Sequence, residues 1–320
     1  MPHSKAQDAV VKAAQESAAS NGSSTGEILV NANGVEICAE AFGSPGDPAM
    51  LLVQGACASM IRWENDFCDQ LVEAGRYVIR FDNRDVGRST AYTPGEPPYD
   101  LNDLADDAVG LLDAFGIDKA HFVGASSGGM ISQLVGIRHP SRVLTLTLCI
   151  STPGVPDVAH AVKGSDGDAA ADLPAPSASM LEQVRTLATV DWTDEAAATE
   201  AFVVEARAMA GSRYRVDEAE VRAWAPVEYN RQNNILSFRL NTPIAETRTP
   251  AWRGGLGDIK APTLVIHGSE DPVLPYPHAV ALADEIPGAT LLTMEGMGHE
   301  LPRGAWPEII PAIVAHTEGS

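Results

Sequence analysis

The chain has 320 residues, and 22 Lys and Arg against 43 Asp and Glu give a net charge of −21 at pH 7. Such a chain repels nucleic-acid phosphates and anionic membrane surfaces, and no apolar run approaches the ~18 residues that a spanning helix needs. Its 45% apolar content fills a sizeable core and excludes intrinsic disorder, over a length that suits one large α/β domain or two smaller ones.

The first 25 residues are rich in Ala, Ser, Gln and Asn and lack the basic and apolar regions of a secretory signal. They read as a loosely docked extension with a short helix within 9–19, on a cytoplasmic protein. Segments 27–30 and 35–42 read as strands around Asn33-Gly34, a hairpin signal. The apolar runs 50–53 and 77–81 fit strands buried on both faces, as in a parallel sheet. Between them, 63–74 has helical spacing and stops at Gly75.

A second helix carries Leu101, Leu104, Ala105, Ala108, Val109, Leu112 and Phe115 at helical intervals, from an N-cap at Asp100 to Gly116. A strand at 121–123, a glycine-rich turn, a helix at 130–138 and a strand at 143–150 follow. Residues 154–179 have loop composition and 180–235 read as helical. Strands return at 263–266 and 290–294, before a last helix over 305–316. This order predicts an α/β fold: a mostly parallel eight-stranded sheet flanked by helices, with a helical cap inserted after the sixth strand. The expected division is an extension at 1–25, a core at 26–152 and 249–320, and a cap at 153–248.

The four cysteines, Cys38, Cys57, Cys68 and Cys149, form no CxxC pair and no metal-ligand spacing, and read as reduced core thiols. The chemistry is carried elsewhere. Gly124-Ala125-Ser126-Ser127-Gly128-Gly129 lies between a predicted strand and a predicted helix and fits the G-x-S-x-G turn that exposes a nucleophile. Ser127 adjoins Ser126, but only Ser126 has glycine at both −2 and +2. The bland alternative is a turn that merely joins strand to helix.

A serine hydroxyl needs a base to take its proton. Among eight histidines, His299 stands in a glycine-rich loop, Gly296-Met297-Gly298-His299, just past the last strand. A carboxylate should orient it. Asp271 follows the strand at 263–266 and precedes Pro272, which favours extended backbone; Glu270 is the rival. The order Ser126, Asp271, His299 is that of a hydrolase triad. Two N–H donors must then hold the developing oxyanion. Ser127 supplies one, and the loop Gln54-Gly55-Ala56-Cys57 the other, with Ala56 the choice.

These residues together resemble the α/β-hydrolase superfamily, and more closely its aclacinomycin methylesterase-like serine esterases. The resembling stretches are 51–55, 78–90, the serine turn, 262–266 and 296–299. The resemblance implies a catalytic triad of Ser126, Asp271 and His299, an oxyanion hole of Ala56 and Ser127, and cleavage of a methyl ester of a polyketide-like or other bulky apolar molecule. It implies no metal and no organic cofactor. Two departures alter the pocket wall: Ala56 stands in a loop that is commonly glycine-rich, and Ser127 replaces a larger residue, often Met.

Cys57, Met60, Trp63 and Trp224 are candidates to line the substrate pocket, with core packing the alternative for the aromatics. Residues 201–253 hold eight arginines against six acids. Arg207, Arg213, Arg215, Arg222, Arg231 and Arg239 read first as a solvated face, and second as a roof that attracts anionic substrates. The expected partner is a small-molecule ester, with no nucleic acid and no membrane. Rival functions are C–C bond hydrolysis or cofactor-free haloperoxidase-like chemistry on the same triad, or a small-molecule receptor without turnover.

Overall fold

A hairpin opens the sheet. Asn33 and Gly34 both take positive φ, 49° and 82°, as a two-residue turn between twisted strands requires, and join β1 (Ile28–Ala32) to β2 (Val35–Phe42). The sheet continues with β3 (Ala49–Val53), β4 (Tyr77–Phe81), β5 (Ala120–Ala125), β6 (Val143–Cys149), β7 (Thr263–Gly268) and β8 (Thr290–Met294). Their spatial order is β1-β2-β4-β3-β5-β6-β7-β8. Only β2 runs antiparallel to its neighbours β1 and β4; every other pairing is parallel. The computed structural model describes residues 24–155 and 172–319, together with Val11, Lys12 and Ala14. Most of the expected extension and linker therefore lies outside the described residues, although Val11 is buried in the core.

Alternation along the strands sorts side chains between the two faces. Leu51, Val53, Ile79 and Phe81 meet helices α2 (Leu101–Ala114) and α3 (Ser127–Arg138) on one face. Met50, Leu52 and Val78 meet α1 (Asn65–Glu73) and the last helix, α9 (Trp306–His316), on the other. Both faces are covered, which is why these strands read as continuous apolar runs. Asp100 caps α2 as expected: its carboxylate accepts from the Asn102 N–H, and Asp103 reaches back to the Asp100 N–H.

Between β6 and β7 the described chain forms four helices, α4 (Ala178–Leu187), α5 (Glu195–Met209), α6 (Glu218–Arg231) and α7 (Ile235–Arg248). Phe202, Val203, Ala206, Val221, Ala225 and Phe238 pack between them, and Val86 of the core joins that cluster. Helix α7 extends the helical stretch well past residue 235. Pro243 lies inside it, and an internal proline obscures a helical pattern in sequence. Helix α3 also begins earlier than expected, at Ser127 rather than Met130, because two glycines poor in helix propensity are imposed there by close packing. Helix α8 (Pro277–Glu285) follows β7. Among the described residues, no helix is long and apolar enough to cross a membrane.

Candidate active site

The serine turn is built by exclusion. Ser126 sits between β5 and α3 with φ 53° and ψ −121°, a conformation that costs a residue with a side chain about 1–3 kcal/mol. Backbone bonds hold it there: the Ser126 N–H donates to the Cys149 carbonyl at 2.9 Å, and the Ser126 carbonyl accepts from the Ser151 hydroxyl at 2.8 Å. A Cβ at Gly124 would stand 2.2 Å from the Gly128 carbonyl oxygen, and one at Gly128 would stand 2.1 Å from that of Val53. Glycine at −2 and +2 is therefore what lets α3 start against the sheet.

Ser126 Oγ lies 3.0 Å from His299 Nε2, and His299 Nδ1 lies 2.7 Å from Asp271 Oδ2. An ionised carboxylate only accepts, so Nδ1 carries the proton and Nε2 is left to accept from the serine hydroxyl. The other carboxylate oxygen of Asp271 accepts from the Val273 and Leu274 N–H groups at 2.9 and 2.8 Å. Burial works to raise the Asp271 carboxyl, but the charge and hydrogen bond of His299 outweigh it and hold the group below the ordinary range.

The rival Glu270 points elsewhere. Its carboxylate accepts from the backbone N–H and the hydroxyl of Ser212, both at 2.7 Å, and so ties the β7 loop to the helical insertion. The other described histidines are also engaged away from Ser126. His121 bonds Thr145, His139 bonds Asp106, His278 bonds Thr152, and His316 bonds the Leu146 carbonyl. His267, near the end of β7, lies beneath Asp271. Its Nε2 donates to the Leu274 carbonyl at 2.7 Å and stands 3.4 Å from Asp271 Oδ2, while burial lowers its basicity. No spacing in the sequence signals this support.

The loop after β3 brings Ala56 beside Ser127. Ser127 opens α3, so its N–H has no carbonyl within the helix to bond. The Ala56 N–H donates to Ser127 Oγ at 3.2 Å, and the Ser127 hydroxyl donates in turn to the carboxylate of Glu246 on α7. The sequence marks Ser127 by its backbone N–H and its small side chain; Glu246 lies within the expected helical cap, but nothing in the sequence directs its carboxylate to Ser127.

The far end of the loop is anchored on both sides. The N–H and hydroxyl of Ser59 donate to Glu228 of α6 at 2.9 and 2.8 Å, and the Met60 N–H donates to Asp82 at 2.9 Å.

The candidate pocket residues divide. Met60 and Trp63 are buried, and Trp63 packs on Phe67 with ring centroids 5.3 Å apart, so both serve the core. Cys57 is half-buried, with its thiol directed to the Arg239 carbonyl. Trp224 is half-buried beneath the guanidinium of Arg62, which lies 3.8 Å above its ring.

Three of the six insertion arginines singled out above are paired on the outside: Arg207 with Glu218, Arg213 with Glu308, and Arg222 with Glu200. Arg231 is buried against Asp82, and Arg239 against Glu205 and over Trp192. Among the described residues, no group of three or more His, Cys, Asp or Glu side chains is gathered as a metal site would need. All four cysteines are free thiols.

The α/β-hydrolase fold family model matches residues 48–302. Rhodomycin D methylesterase DauP of Streptomyces sp. (strain C5) is 34% identical over 303 residues, which span 91% of this chain and 98% of that protein. Rhodomycin D methylesterase DnrP of Streptomyces peucetius is 33% identical over the same shares. In structure, the esterase EaEST from Exiguobacterium antarcticum superposes with a TM-score of 0.69 at 21% identity, covering 91% of this chain and 99% of that one. The resemblance to methylesterase-like hydrolases read from the motifs is borne out, and the chain belongs to the α/β-hydrolase fold family.

Proposed function

We propose that this protein is a serine carboxylesterase that works through an acyl-enzyme on Ser126. The observation that carries the reading is the unbroken line from Ser126 Oγ to His299 Nε2 and from His299 Nδ1 to Asp271, at 3.0 and 2.7 Å, beginning on a strained turn at the carboxyl end of the interior strand β5. His299 takes the hydroxyl proton as Ser126 Oγ bonds to the ester carbonyl carbon, and the carbonyl oxygen becomes an oxyanion. Asp271 holds the imidazole in the required tautomer and stabilises the imidazolium. The N–H groups of Ala56 and Ser127 receive the oxyanion.

Collapse breaks the carbon–oxygen ester bond, and His299 returns its proton to the departing alkoxide. Water then attacks the acyl-enzyme by the same route, releasing the acid and freeing Ser126. The two methylesterase relatives support a methyl ester as the substrate bond, with methanol as the leaving group. The acyl portion is polyketide-like or similarly bulky and apolar.

The test is labelling of Ser126 by a fluorophosphonate, coupled to turnover of p-nitrophenyl and methyl esters. Ser126→Ala should abolish labelling and burst, and lower kcat by about 10⁶-fold. Normal turnover in that variant would overturn the reading. Ester inertness with cleavage of a vinylogous diketone would replace it by C–C hydrolysis on the same residues.

A further inference from the structure

The hydroxyl of Ser127 is placed where it competes for an oxyanion donor. Its oxygen accepts the Ala56 N–H at 3.2 Å, and its proton goes to Glu246, a half-buried carboxyl on α7. An ionised carboxylate has no proton to give, so it obliges Ser127 to donate to it. The Ser127 lone pairs then face Ala56 and occupy the N–H that the oxyanion needs. A neutral carboxyl can instead donate to Ser127 Oγ. The Ser127 proton is then free to turn toward the oxyanion, adding a third donor beside the two backbone N–H groups.

We propose that Glu246 is a positioning residue for the hydrolysis, acting through the Ser127 hydroxyl to set whether that hydroxyl competes with the oxyanion or donates to it. The proposal rests on the serine-hydrolase reading above and adds a side chain that reaches the oxyanion site from the helical insertion. Burial pushes the Glu246 carboxyl up to about 7, with the Ser127 hydrogen bond pulling the other way, so both forms are populated near neutrality.

The other ionisable groups around this corner are committed. Cys57 on the oxyanion loop feels Arg239, Glu205, Glu246 and Glu228, and burial pushes its thiol up to about 11, so it stays protonated. Arg239 of α7 is paired with Glu205 of α5, and Glu228 of α6 is bonded to Ser59. Across Ser126, His299 is bonded to Asp271 and to the serine.

Activity falls with rising pH as Glu246 ionises and Ser127 turns its lone pairs on the oxyanion site. The experiment is the pH profile of kcat and KM for p-nitrophenyl butyrate in the wild type, Glu246→Gln and Ser127→Ala, with fluorophosphonate labelling of each. The wild type should show an alkaline fall in kcat of up to about 100-fold, the low end of what losing one oxyanion donor costs. KM should move little, because the oxyanion exists only in the transition state and intermediate.

In Glu246→Gln the amide can donate to Ser127 Oγ as the neutral acid does, and the alkaline limb should disappear. In Ser127→Ala the competitor is gone, and the limb should disappear there too. A limb that persists in both labelled variants, or its absence from the wild type, would overturn the relay while leaving the hydrolase intact. If the wild type takes no fluorophosphonate, the hydrolase reading is what fails.

Discussion

The backbone N–H of His299 donates to the carbonyl oxygen of Met209, the last residue of α5, at 2.8 Å. The imidazole-bearing residue is thus hung on the end of an insertion helix as well as on the β8 loop. Close approach is possible because Gly298 presents no side chain: a Cβ there would stand 2.0 Å from Met209 O and 2.6 Å from the Gly211 N. Both neighbours are backbone, so neither can turn aside. Gly298→Ala should push the loop off α5 and displace the imidazole by a fraction of an ångström or more. A displacement of 1 Å costs about 100-fold in rate, so kcat/KM should fall by about that factor while Ser126 remains in place. Wild-type kinetics in this variant would show that the Met209 contact does not position His299.

Asp271 is fixed by two backbone donors on one oxygen and by His299 on the other. In Asp271→Asn the amide oxygen keeps the Val273 and Leu274 N–H groups, which leaves the NH₂ facing His299 Nδ1. Two donors cannot face each other, so the imidazole proton moves to Nε2 and can no longer leave room for the serine proton. The expected loss is about 10⁴-fold in kcat, with little change in KM. Steady-state kinetics check it; a loss under tenfold would show that His299 keeps its tautomer without the carboxylate.

The segment 78–90 matched a family pattern in the sequence, but its physical role could not be read there. Asp82 is fully buried, accepts from the Met60 and Arg88 N–H groups, and both of its oxygens accept from Arg231 Nη1, at 2.7 and 2.6 Å. It therefore ties the end of β4, the loop after β3 and α6 together. Removing one partner of a buried, hydrogen-bonded ion pair costs about 3–5 kcal/mol. Arg231 also pairs with Glu27 at 2.9 Å; Asp82→Asn should lower stability by about that amount in urea unfolding, and an unchanged midpoint would argue that Arg231 is satisfied by Glu27 alone.

What was legible follows a simple physical division. The serine turn, the parallel strands and the base loop are constrained by neighbours in sequence: Gly124 and Gly128 must be small, β3 and β4 must be apolar on both faces, and Gly298 must admit another backbone. Such constraints leave local signatures. Glu246, Glu228, Arg231 and His267 act across 119, 169, 149 and 4 residues of chain, and a charged residue on a helix looks the same whether it faces water or a buried serine. Even His267, close in sequence to Asp271, carries no mark of the packing beneath it. Trp63 shows the converse: an aromatic beside the oxyanion loop suggests a pocket wall, whereas its ring is spent on Phe67.

Glu228 offers a stability test with a definite sign. It is almost completely buried and receives the Ser59 N–H, the Ser59 hydroxyl and the Gln232 amide. Burial raises its carboxyl above the ordinary value of 4.5, and the Ser59 bonds offset only part of that. A raised acid binds its proton more tightly in the folded chain than in the unfolded one. Its contribution is therefore fully present below the ordinary glutamate range and is lost as pH rises through the folded value. Glu228→Gln keeps the shape and an acceptor for the Ser59 N–H but does not titrate. Going from about pH 5 to about pH 8, the urea midpoint of the variant should lose less than that of the wild type, since all other titrating groups are common to both. Parallel midpoints at the two pH values would mean that Glu228 has the same proton affinity folded and unfolded, and that its bonds to Ser59 repay its burial in full.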